Sequence, residues 1–188
     1  MFKALAFHVL LPFVSLFPGV VKEQFDRPVP SLTTITRTAH ADSVALKPKG
    51  KVIPTGDTNP IDLISFAQTL KGTRYKYASA SPKTGFDCSG FVHYVFKHFS
   101  IQVPRSSVDF THVGRTIELQ EAMPGDLILF TGTNSKVRRV GHMGIVITQG
   151  CDSVVFLHAS SGKAHSVTET ELNKHYKERF IKVVRLFE

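Results

Sequence analysis

The run Gly85-Phe86-Asp87-Cys88-Ser89-Gly90, continued by Phe91, Val92, Val95, Phe96 and Phe99, constrains this chain more than any other stretch. Its first half has the composition of a turn. Its second half sets apolar residues at spacings of one, three and four, the pattern of a helix buried along one face. Asp87 reads as the N-cap, which puts Cys88 at the start of the helix. The first N–H groups of a helix lack intrahelical partners, and together with the macrodipole they favour negative charge. A thiolate placed there is stabilised, so the ordinary thiol pKa of about 8.5 is expected to fall. On position alone, Cys88 reads equally well as a small buried apolar residue, a frequent state of free cysteine.

Two strand-like segments downstream carry the second half of the chemistry. Gly141-His142-Met143-Gly144-Ile145-Val146-Ile147-Thr148 and Asp152-Ser153-Val154-Val155-Phe156-Leu157-His158-Ala159 flank Gln149-Gly150-Cys151. A three-residue hairpin loop with Gly150 in a left-handed conformation sets Thr148 opposite Asp152 and, six residues back on each side, His142 opposite His158. Directly opposed side chains on one face lie about 4.5–5.5 Å apart at Cβ, so the imidazoles are within reach of each other. A slip of one residue would put them on opposite faces and leave two unrelated histidines. A cysteine at a helix start, a first histidine and a second polar residue form the constellation of thiol catalysis. In it Cys88 is the nucleophile, His142 the general base and acid, and His158 the residue that orients His142. Metal binding by Cys88, His142 and His158 is the competing reading, without support from zinc-like spacing. His93, His98 and His112 lie too near Cys88 in sequence to swing over its helix start, and His165 and His175 lack a matching partner.

The remaining chain supplies a frame for these residues. Residues 4–21 form an apolar run behind Lys3, interrupted by His8, Pro12, Ser15 and Pro18. With the small-x-small site Ala39-His40-Ala41, residues 1–41 are expected to be an export signal or N-terminal extension, which would carry the protein to the periplasm or outside the cell. Residues 42–58, with Pro48, Gly50, Pro54 and Gly56, read as a linker. Pro60, Ile61, Leu63, Ile64, Ala67 and Leu70, closed by Gly72, describe a short amphipathic helix. A turn at Met123-Pro124-Gly125-Asp126 leads into a strand at Leu127-Ile128-Leu129-Phe130, and residues 180–187 form the last strand. Helices first and a mainly antiparallel sheet second make an α+β domain over residues 59–188.

Charge and cysteine content narrow the function classes. Two cysteines form no disulfide framework, and neither a metal nor any other cofactor is expected. The formal charge of +8 favours polyanion attraction. The basic residues are scattered, however, and no nucleic-acid-binding role is expected.

The motifs Phe86-Asp87-Cys88-Ser89-Gly90-Phe91-Val92, Pro104-Arg105-Ser106-Ser107, Pro124-Gly125-Asp126-Leu127, Gly141-His142-Met143-Gly144-Ile145 and Phe156-Leu157-His158-Ala159-Ser160 occur in this order. Together they resemble the NlpC-type cysteine peptidases, bacterial cell-wall endopeptidases with a reduced papain-like α+β fold and the nucleophile at a helix N-terminus. The resemblance implies hydrolysis of peptidoglycan stem peptides, most often between γ-D-glutamate and diaminopimelate or lysine, through a thioester. It also implies that the Tyr75 hydroxyl helps polarise the substrate carbonyl. Asp87, Ser89 and Ser107 match positions that line a pocket for a free L-Ala amine in some members, although Asp87 reads equally as a helix cap. One departure is Ala78-Ser79, where the family usually has a Gly-Gly pair. The alternatives are a papain-like amidase or acyltransferase on another substrate, and a non-catalytic wall-binding module.

Overall fold

The computed structural model describes residues 50–149 and 153–187 of the 188-residue chain. The export segment expected over residues 1–41, most of the expected linker, and Gly150, Cys151 and Asp152 at the hairpin tip lie outside the described residues.

Helix α1 (Pro60–Thr69) begins where Asn59 accepts a hydrogen bond from the Ile61 N–H at 2.8 Å, and Pro60, which has no N–H to satisfy, occupies the first turn. Leu63, Ile64 and Ala67 form its buried stripe. The helix ends at Thr69 with Leu70 as its cap, so Gly72 does not close it directly. Gly72 instead takes a φ of 81° and donates its N–H to the Val167 carbonyl, tying the helix exit to the sheet. A hairpin of two short strands, β1 (Ala80–Ser81) and β2 (Gly85–Phe86), then delivers the chain to α2 (Cys88–His98). Phe91, Val92, Val95 and Phe96 of α2 are fully buried. Gly90 is required there, because a Cβ would lie 2.1 Å from the Ser79 carbonyl oxygen.

The main sheet comprises β3 (Arg115–Ile117), β4 (Leu127–Thr131), β5 (Val140–Gln149), β6 (Val154–Ala159), β7 (Val167–Glu171) and β8 (Phe180–Arg185). Its order is β3-β8-β4-β5-β6-β7, with antiparallel pairing at every step. A third helix, α3 (Lys174–Arg179), joins β7 to β8. The strands bury both faces. Leu127, Leu129, Met143, Ile145, Ile147 and Leu157 share a core with α1 and α2, whereas Ile128, Phe130, Val146, Phe156 and Val183 form a second core under Tyr176 and Phe180. Two-sided burial is why Leu127-Ile128-Leu129-Phe130 reads as an unbroken apolar run. The turn before it is locked by Asp126, which accepts from the Met123 N–H at 2.7 Å and pairs with Arg185 at 2.8 and 2.9 Å. The architecture is the α+β plan expected, helices packed on a mainly antiparallel sheet.

Two expectations are corrected. The stretch read as a linker is part of the domain at its C-terminal end. Lys51 exchanges backbone hydrogen bonds with His112 and Gly114, and Ile53 enters the first core. The β5–β6 register also differs from the count. At the tip Gln149 pairs with Val154 and Thr148 with Val155, a longer loop than three residues. That register alone would put His142 and His158 on opposite faces. A bulge at Ile147 inserts one residue into β5, so that Val146 pairs with Phe156 and Ile145 with Leu157. Continuing this ladder sets Gly144, not His142, level with His158. The bulge returns both histidines to one face as diagonal neighbours, close enough for side chains to meet.

Candidate active site

Cys88 stands at the first position of α2, and the Asp87 carboxylate caps the helix by accepting from the Gly90 N–H at 2.6 Å. The Cys88 S–H is directed at the Gly141 carbonyl at 4.0 Å, and the Met143 N–H is directed at the sulphur. The thiol therefore rests against the backbone on both sides of His142. Backbone N–H groups of Ser89 and Cys88 also favour the thiolate, as expected of a helix start. Burial outweighs them: it is the largest influence, and with the Asp87 charge it holds the thiol above its ordinary pKa. The lowered thiol pKa expected from helix position is thus corrected. The field is present, but the sulphur is too dry for it to prevail.

His142 and His158 meet as an orthogonal pair, with Nε2 of His142 at 2.8 Å from Nδ1 of His158 and the ring planes at 84°. The second nitrogen of His158, Nε2, lies 3.0 Å from the Thr170 hydroxyl on β7. The bond to His158 leaves Nδ1 as the second ring nitrogen of His142. Both rings are buried, and burial is the main reason that both are held below the usual histidine range, His158 to about 4. The pair is neutral at physiological pH. Gly144 is the spacer that lets the rings meet, since a Cβ there would lie 2.8 Å from the Phe156 ring and 3.1 Å from the His158 Cβ.

An open cleft of about 540 Å³ lies over Cys88 and includes Tyr75, Asp87, Ser89 and Ser107 in its lining. The structure thus brings all four of these residues to the nucleophile candidate. Burial, with the charges of Cys88 and Asp87, holds the Tyr75 phenol above its ordinary pKa, which keeps it a hydrogen-bond donor. Both Asp87 oxygens are engaged by Arg105, at 3.0 and 2.6 Å, and Arg105 also reaches the Ser89 hydroxyl at 3.1 Å. Ala78, on the cleft wall, adopts a φ of 57°. That conformation costs a residue with a Cβ about 1–2 kcal/mol and explains why glycine suits this position. Among the described residues, no group of three or more His, Cys, Asp or Glu is arranged to hold a metal ion.

Sequence reasoning missed the groups that surround the histidine pair. Thr170 lies on an edge strand of alternating Thr and Glu, and Tyr176 and Arg179 lie on a six-residue helix with no apolar period. Only spatial proximity marks them. The Arg105 in Pro104-Arg105-Ser106-Ser107 was legible as a motif, but its pairing with Asp87 was not.

Known proteins share this arrangement of elements. The chain is 29% identical over 134 residues to the gamma-DL-glutamyl hydrolase of Bacillus subtilis (strain 168), a match covering 71% of this chain and 32% of that protein. It is 36% identical over 106 residues to the probable endopeptidase NlpC homolog of Haemophilus influenzae, covering 56% of this chain and 50% of the relative. The chain thus spans half or less of the length of these relatives. The crystal structure of an NlpC/P60 family protein from Bacillus cereus superposes with a TM-score of 0.61 at 31% identity, covering 71% of this chain and 41% of that one. The family model for NlpC/P60 matches residues 72–185, a span that holds Cys88, His142, His158, Tyr75 and the residues lining the cleft over Cys88. By fold, by sequence and by the segment matched, the chain belongs to the NlpC/P60 family.

Proposed function

We propose that the protein is a cysteine endopeptidase of peptidoglycan stem peptides, cutting the bond between γ-D-glutamate and diaminopimelate or lysine. The observation that carries this reading is the linked set of side chains: the Cys88 thiol lies against the backbone flanking His142, and His142 is held through Nε2 by His158 at 2.8 Å. For His142 Nδ1 to accept the thiol proton, Nε2 must carry hydrogen and donate it to His158 Nδ1. His158 then carries its proton on Nε2 and donates to Thr170. A raised thiol and lowered histidines mean that the resting site is a neutral pair. Proton transfer therefore accompanies attack.

Sγ attacks the carbonyl carbon as His142 takes the thiol proton, and the Tyr75 hydroxyl donates to the carbonyl oxygen. The C–N bond breaks, the amine leaves with the proton held by His142, and the acyl group remains on Cys88 as a thioester. Water, giving a proton to His142, attacks the thioester. The C–S bond breaks, the acid leaves, and the thiol regains its proton. Asp87, Ser89 and Ser107 bind the substrate end on the opposite side of the scissile bond from the leaving amine. The apolar run of residues 4–21 supports export to the periplasm or beyond, where this substrate lies. No helix among the described residues is long and apolar enough to cross a membrane.

The test is incubation of the full chain, wild type and Cys88→Ala, with purified muropeptides, followed by mass spectrometry of the fragments. The expected product is a Cys88-dependent fragment ending at γ-D-glutamate. Unchanged cleavage by C88A would overturn the nucleophile assignment. Cys88-dependent cleavage at another bond would overturn the bond assignment alone.

A further inference from the structure

One element packs on both rings of the histidine pair, and the chemistry proposed above makes no use of it. Tyr176 of α3 lies on the face of the sheet opposite to α2, in the second core. Its ring is stacked 6.2 Å from His142 and set edge-on 5.5 Å from His158, with Phe130 and Phe156 at 5.1 and 5.0 Å. Its hydroxyl bonds Ser160. A six-residue helix with no buried residue of its own does not hold such a ring in place unaided. Arg179, one turn later, does so. Its Nε and Nη2 donate to the Gly132 and Thr131 carbonyls at 3.0 Å each, its Nη1 lies 3.1 Å from His175, and its guanidinium sits 5.4 Å from the Tyr176 ring centre.

We propose that α3 is the positioning element of the histidine pair, with Tyr176 as the wedge that fixes both rings and Arg179 as the anchor of that wedge and the fixed cation beside the pair. The groups that bear on the pair come from every neighbouring element. They are Arg179, His175 and Tyr176 from α3 and the Thr170 hydroxyl from β7, while β4 and β6 present the rings of Phe130 and Phe156. Of the groups that act electrostatically on the rings, the guanidinium of Arg179 is common to both. A fixed cation disfavours an imidazolium, so Arg179 opposes protonation of the pair and keeps Nδ1 of His142 free to accept a proton. Histidine triads with an acidic third member work the other way, by stabilising the imidazolium. Here the third member is itself a histidine, and the neighbouring charge is positive.

The test titrates the imidazoles by NMR in the full chain labelled at histidine, in wild type, Arg179→Gln and Arg179→Lys, with His158 assigned by substitution. Removing the charge in R179Q is expected to raise the His158 midpoint by about half a unit or more, whereas R179K, which retains it, stays near wild type. Circular dichroism establishes that each variant folds. In parallel, Tyr176→Leu is expected to lower kcat on muropeptides by about 10²-fold with KM little changed, and Tyr176→Phe to recover most of the loss. Should R179Q not fold, the Y176L and Y176F pair decides. Folded R179Q with an unmoved midpoint, or Y176L with wild-type kcat, would overturn the proposal. The kinetic arm rests on Cys88 acting as nucleophile, but the titration does not. A shifted midpoint in a protein without hydrolytic activity would therefore overturn the functional reading and leave the positioning role standing.

Discussion

Acid should destabilise this protein earlier than its carboxylates alone would, and His158 makes the effect calculable. The ring is fully buried, and its pKa falls from 6.5 to about 4 on folding, chiefly through burial and then through Arg179. The folded-state value lies below the unfolded one, so the unfolded chain binds the proton first as pH falls. The stability contributed is complete above about pH 6.5 and is lost progressively toward pH 4. At about 1.4 kcal/mol per pH unit across that window, His158 alone accounts for a loss of about 2.5 kcal/mol between pH 7.5 and pH 4.5. His142, also pushed down by burial, adds in the same direction. The assay is urea unfolding followed by circular dichroism at both pH values, on wild type and His158→Asn, which has no titrating group at that position. Because the carboxylates are common to both proteins, their contribution cancels in the difference. Wild type should lose about 2.5 kcal/mol more than the variant on acidification. Equal losses would refute the reasoning, since they would mean that His158 carries the same proton affinity folded and unfolded.

Three further outcomes follow from the same geometry. Gly144→Ala forces a methyl against the Phe156 ring, the Leu157 carbonyl and His158, so urea unfolding should show a loss of about 1–3 kcal/mol and steady-state kinetics a reduced kcat. Thr170→Val keeps the shape but leaves Nε2 of His158 without its hydroxyl partner; stability should fall by about 1 kcal/mol and kcat should fall while KM holds. Asp126→Asn strips the charge that faces Arg185 in a nearly buried pair, and thermal or urea unfolding should register about 3–5 kcal/mol, with no specific effect on the cleft chemistry.

What the sequence made legible was what depends on local pattern. The apolar spacing after Gly90 gave α2, Asp87 gave its cap, and together they placed Cys88. Asn59-Pro60 marked the start of α1 in the same way. The meeting of His142 with His158 was reached through a register that does not occur, because a β-bulge at Ile147 has no signature in an unbroken run of Ile, Val and Thr. The shift of the loop and the bulge together preserved the face, so the two rings meet although the pairing differs. The thiol pKa was misjudged for a related reason. Helix position is visible in sequence, but the depth of burial that opposes it belongs to the packing of α2 against β5. Strands β3 and β7 and helix α3 were missed because each is short and polar, and each is held by pairing or by a single residue such as Arg179 rather than by propensity. The residues that tune the histidine pair lie on those elements.

The central claim is that Cys88 carries the acyl group of a cleaved stem peptide. The most direct measurement is rapid acid quench of the full chain during turnover of a muropeptide, followed by mass spectrometry of the intact protein and of its proteolytic fragments. The account predicts a mass increase equal to the acyl half of the substrate, located on the fragment containing Cys88, removed by hydroxylamine as a thioester would be, and absent from Cys88→Ala, which does not hydrolyse. An adduct on any other residue, or hydrolysis retained in Cys88→Ala, would contradict it.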